Sequence, residues 1–142
     1  MRRAPRPGAV GAVLAVALAA AACDSGAPAH DLFLVQRSGS IPGARLTLRV
    51  TDDGRASCNR APLVDITSAQ LIAAREIERD LEPLAKRRLA LPPGRASVLR
   101  YRVVLEDGAA RFADDSRGQP PALFRLAKLT RDVARGSCRL AR

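Results

Sequence analysis

Apolar and polar positions alternate cleanly twice along the chain. In residues 44–51, Leu46, Leu48 and Val50 fall on one side, and Arg45, Thr47, Arg49 and Thr51 on the other. In residues 97–105, Leu99, Tyr101, Val103 and Leu105 alternate with Val98, Arg100, Arg102 and Val104. A period of two places successive side chains on opposite faces, so both segments predict strands with one buried and one wet face. Residues 31–36 form a near-continuous apolar run and predict a further strand. Asp52-Asp53-Gly54 and Glu106-Asp107-Gly108 read as hairpin turns, returning the chain through residues 55–58 and 109–113. Ser38-Gly39-Ser40-Ile41-Pro42-Gly43 is turn chemistry between the first two strands.

The period changes to that of a helix after Thr67. Thr67 and Gln70 are spaced as a capping box. Leu71, Ala74, Ile77, Leu81 and Leu84 then recur every three or four residues as one apolar stripe. Arg75/Glu78 and Glu76/Arg79 lie off the stripe at pairing distance. Pro83 is expected to end or kink this helix, since it lacks an amide and crowds the carbonyl four residues back. Pro120-Pro121 opens a second helix. Its stripe is Leu123, Leu126, Leu129 and Val133, and Gly136 sits at its C-cap. The order is ββ(β)αββα. The expectation is an α+β domain: an antiparallel sheet of four to five strands with both helices packed on one face.

The 142 residues fit one domain preceded by a leader. Arg2, Arg3 and Arg6 precede an uninterrupted run of small and apolar residues from 10 to 22. That run is too short for a stable bilayer anchor, which needs ~20 residues. It reads as a signal peptide over residues 1–22. Ala20-Ala21-Ala22-Cys23 resembles a lipobox, although Leu is commonest where Ala20 stands. The same alanines also fit ordinary signal-peptidase cleavage. The three cysteines favour lipid: acylation of Cys23 leaves Cys58 and Cys138 as an even pair in an oxidising compartment. Residues 23–30 then form a lipid-anchored tether and residues 31–142 the domain. The expected location is the extracytoplasmic face of the bacterial membrane, or the medium if Cys23 stays unacylated. A Cys58–Cys138 disulfide would close a loop of about 80 residues, worth ~4 kcal/mol in the chain-entropy account.

Charge narrows the partners. The net charge is +10, and three of the 24 basic residues lie in the leader while all 14 acidic ones follow it. The exported part therefore carries +7. Such a surface suits anionic lipid or anionic envelope polymer, and export disfavours nucleic acid. Arg125, Lys128, Arg131 and Arg135 form a basic stripe on the second helix, a candidate contact for anionic headgroups; a solvated helix face is the plainer alternative. The lone histidine, His30, falls in the tether without partners at metal-ligand or triad spacing. The pairs Asp52-Asp53, Glu106-Asp107 and Asp114-Asp115 all sit at turns, which explains them without catalysis. No phosphate-binding glycine loop is present. The sequence predicts a non-enzymatic protein without metal or cofactor.

Several short motifs in this order resemble one family. They are Val35-Gln36-Arg37-Ser38-Gly39, Pro42-Gly43 before an alternating strand, a capped helix, Tyr101-Arg102-Val103-Val104-Leu105-Glu106-Asp107-Gly108, and Pro120-Pro121-Ala122-Leu123 leading into Leu126 and Leu129. Over about residues 31–134 the chain resembles the emfourin-like inhibitors, small bacterial proteins that block thermolysin-like metalloproteases. It differs at Ser40-Ile41, where the family tends to have Gly and an aromatic, and it adds the leader, Cys58, Cys138 and a longer middle loop. The resemblance implies an inhibitor of a secreted metalloprotease, with Arg37, Ser38, Gly39, Ser40 and Ile41 as candidate contacts. The rival expectation is a structural envelope protein that binds anionic cell-wall or lipid polymers through its arginines.

Overall fold

A computed structural model describes residues 29–140. The leader and Cys23, the expected lipidation site, lie outside the described residues.

Six strands form one antiparallel sheet: β1 (Asp31–Gly39), β2 (Leu46–Thr51), β3 (Arg55–Cys58), β4 (Val64–Asp65), β5 (Leu99–Leu105) and β6 (Gly108–Ala113). Their spatial order is β4-β3-β2-β1-β5-β6. The helices are α1 (Ser68–Lys86) and α2 (Pro121–Arg135). The α+β class holds, with one strand more than expected. The addition is β4, two residues that pair with Arg55 and Ala56 of β3. Two residues have no readable period, so only their partner defines them.

The core lies between the helices and one sheet face. Phe33 and Val35 of β1, Leu46, Leu48 and Val50 of β2, and Tyr101 and Val103 of β5 are all buried. The apolar stripes of α1 and α2 close over them through Ile77, Leu81, Leu123, Leu126 and Val133. Tyr101 and Phe112, directly opposite on β5 and β6, stack with ring centroids 4.8 Å apart. Burying these side chains is the main favourable term in folding.

Local signals behave as their chemistry dictates, with three departures. The Thr67 hydroxyl accepts from the Gln70 amide, and the Gln70 side chain accepts from the Thr67 amide. Gly54 adopts φ +84°, which the β2–β3 turn requires. Pro83, however, does not end α1; the helix continues to Lys86. Pro83 and Arg79 are both exposed, so water can satisfy the carbonyl that the proline leaves free, while Leu84 and Ala85 beyond it bury against the core. Gly136 caps α2 in a right-handed conformation, and the first left-handed residue after the helix is Arg139. Arg75 donates to the Asp52 carbonyl at 2.8 Å, and no ion pair joins it to Glu78, or Arg79 to Glu76, among the described residues.

Cys58 and Cys138 form a disulfide, with Cα atoms 6.1 Å apart and 80 positions between them in sequence. It ties the end of β3 to the segment after α2.

Candidate functional site

β1 runs the length of the sheet, about 30 Å for nine residues. Its first residue, Asp31, opposes Thr51, the last of β2. Its last residue, Gly39, opposes Leu99, the first of β5. β1 therefore begins at one end of the sheet, and the β1–β2 loop projects from the other. His30, assigned to the tether from sequence, already accepts a backbone bond from the Asp52 amide at 2.9 Å.

The β1–β2 loop is braced from within. The Arg37 guanidinium donates to the carbonyls of Ala44 at 2.9 Å and Gly43 at 3.0 Å. The Ala44 amide donates to Ile41 O, and the Ser40 amide to Val98 O, both at 3.1 Å. Gly39 allows that approach: a Cβ there would sit 2.0 Å from Val98 O. Ile41 stands 44% exposed at the tip. Of the five candidate contacts, Arg37 thus serves inside the loop, while Ser38, Gly39, Ser40 and Ile41 are exposed.

The basic stripe of α2 divides into two halves. Arg125 pairs with Asp80 of α1, and Lys128 pairs with Asp132 at 2.6 Å. Arg131 and Arg135 have no ion pair among the described residues. These two lie against the β1–β2 loop, where they line a 290 Å³ hollow with Arg37, Ile41, Arg45 and Leu140. The loop and the free half of the stripe are therefore one surface, an exposed aliphatic tip beside four arginines. Burial pushes the Tyr101 phenol beneath it upward, while nearby Arg37 and Arg131 pull the other way. Arg45 and Leu140 were missed as site members from sequence. Arg45 was legible only as a wet position in the alternating run, just before β2, and nothing in the sequence brings Leu140 to the loop.

The carboxylate pairs have structural duties. Asp115 accepts from the amides of Gly94 at 2.8 Å and Ala96 at 2.9 Å, and Asp114 accepts from Val98 at 3.2 Å. Together they hold the turn over residues 94–98, whose Val98 carbonyl accepts from Ser40. Asp53 accepts from Thr51 and pairs with Arg55, and these partners hold its carboxyl below the usual carboxylate range, Arg55 first and Thr51 second. Asp107 lies 3.3 Å from Lys86. Among the described residues no three His, Cys, Asp or Glu side chains gather as a metal site, and no helix is long and apolar enough to cross a membrane.

Compared with protein-family models, with curated proteins and with solved structures, the chain matches none.

Proposed function

We propose that the protein is a non-enzymatic binding module, exported and lipid-anchored through Cys23, that inhibits a thermolysin-like metalloprotease with its β1–β2 loop. The observation that carries this reading is the bracing of that loop by Arg37, Ser40 and Ala44. A loop fixed before binding loses little conformational freedom on docking, which is how a short segment achieves affinity. Ile41 supplies an apolar anchor at the tip, and Arg45, Arg131 and Arg135 surround it for an acidic rim on the partner. The likeness to emfourin-like inhibitors supplies the protease class. Anchoring at residue 23 would leave the loop at the far end of β1, facing away from the bilayer.

The test is titration of residues 24–142 against a thermolysin-like protease from the same organism, using a peptide substrate. Inhibition should be stoichiometric, and gels should show the domain uncut. No inhibition by folded protein at micromolar concentration removes the reading. Fractionation tests the anchor separately: Cys23→Ala should move the protein from membranes to the soluble fraction, and a variant that stays membrane-bound refutes lipidation.

A further inference from the structure

Among the described residues no helix covers the second face of the sheet, and its arginines are arranged at a cost. Arg102 of β5 lies directly opposite Arg111 of β6, both on the outer face. Like charges directly opposed on neighbouring strands oppose sheet formation. Neither has an ion pair among the described residues, nor does Arg100, two positions along the same face of β5, or Arg88 beside it. Arg102 leans the other way, donating to the Gln36 side chain at 3.1 Å.

The register extends this pair into a row. Arg111, Arg102, Gln36 and Thr47 stand opposite one another on β6, β5, β1 and β2. Asn59 continues it, its side chain accepting from the Thr47 amide at 2.9 Å. Strands lie about 4.8 Å apart, so the first four residues alone span about 14 Å across the sheet. Residues 89–91 pair with Arg111 along the β6 edge and leave a groove on either side. One, of 520 Å³, holds Arg88, Arg102 and Arg111; the other, of 450 Å³, holds Arg100, Arg102 and Arg111. Glu106 is the one carboxylate lining either groove.

We propose that this open face binds a linear anionic polysaccharide laid across the strands, its carboxylate or phosphate groups on Arg100, Arg102 and Arg111 and its hydroxyls on Gln36 and Thr47. Guanidinium forks match such oxyanions in charge and geometry. The amide and hydroxyl of Gln36 and Thr47 offer both donors and acceptors, which sugar hydroxyls need and a purely ionic lattice does not. The choice of polysaccharide over nucleic acid rests on the export reading above; the arginine row itself does not. This surface meets the candidate inhibitory contacts only at Ser38, opposite Arg100, while Arg102 and Arg111 lie off the β1–β2 loop, so the two functions can fail independently.

The experiment measures binding of the mature chain to fluorescein-labelled polygalacturonate, polyphosphate, single-stranded DNA and phosphatidylglycerol vesicles in about 50 mM salt. Polygalacturonate should bind, and Arg102→Gln/Arg111→Gln should weaken it on the order of tenfold. Arg79→Gln/Arg117→Gln removes the same charge from exposed positions elsewhere and should change binding less than about twofold. Gln36→Ala/Thr47→Ala should weaken polygalacturonate but not polyphosphate. Circular dichroism checks that each variant is folded, and the Arg102/Arg111 variant should keep any protease inhibition. Equal losses in the two charge-removed variants would reduce the effect to net charge and overturn the proposal. Tighter binding of DNA or vesicles than of polygalacturonate would overturn the polysaccharide assignment.

Discussion

The two ends of the sheet are built from the same strands but differ in charge and in what fixes them. At the end where β1 begins lie Asp31, the Asp52-Asp53 turn and the Glu106-Asp107 turn, with Glu78 and Glu82 of α1 close by. At the end where β1 finishes lie the braced loop, Arg37, Arg45, Arg131 and Arg135. Acidic turns and backbone pairing secure the first end; a disulfide, a guanidinium brace and α2 secure the second. The guanidinium brace and the cluster of arginines thus coincide at the end of β1 farthest from Asp31.

Removing the disulfide should break this contrast most severely. Cys58→Ser/Cys138→Ser is expected to cost about 4 kcal/mol, read by urea unfolding. Hydrogen exchange should rise first around residues 131–140 and the end of β3, with the β1–β2 pairing near Asp31 protected longest. Uniform loosening would mean that the two ends are not separate in stability.

Ile41→Asp should come next. If the loop is the inhibitory contact, it should lose about 2 kcal/mol of binding, roughly thirtyfold in inhibition constant, with an unchanged melting temperature. Thr130 of α2 sharpens the comparison in the opposite direction. Its hydroxyl is fully buried and has no hydrogen-bond partner among the described residues. Thr130→Val should therefore stabilise the protein by about 1 kcal/mol, raising the melting temperature by about 4 °C in calorimetry.

The smallest effect belongs to the acidic end. Burial, then Glu82, Asp52 and Glu106, push the Glu78 carboxyl above its ordinary value of 4.5. A carboxylate raised in the folded state costs stability once ionised. The penalty is absent below the unfolded value and becomes complete as pH rises through the folded one. Glu78→Gln should stabilise slightly at neutral pH and be indistinguishable from wild type near about pH 4.

Much of this architecture could be read from residue order. β2 and β5 each show one wet and one dry face where alternation places them, except at Thr51, expected on the wet side but fully buried, its hydroxyl donating to Asp53 and to the Arg55 carbonyl. The capping box at Thr67 and the proline start of α2 are local chemistry and hold locally. Oxidising-compartment arithmetic paired the right cysteines. The illegible parts all depend on relations across the chain. β4 exists only because β3 offers an edge. Arg131 and Arg135 meet the β1–β2 loop because of the direction in which α2 crosses the sheet, which no period encodes. Arg102 and Arg111 are adjacent only in the final register.

The sheet order has a consequence for how the molecule is made. β1 is the first of the described strands to be synthesised, yet it sits at the centre of the sheet. Its β2 partner follows at once, but Leu34 must wait for Val104 before its other edge is covered. During that interval the nascent chain carries an open, largely apolar edge, the kind that invites pairing between molecules. Closing it requires a contact of long sequence separation, which slows folding. Oxidation of Cys58 must wait longer still, for Cys138. Biogenesis is therefore back-loaded: β5 completes the barrier against aggregation, and Cys138 then locks it.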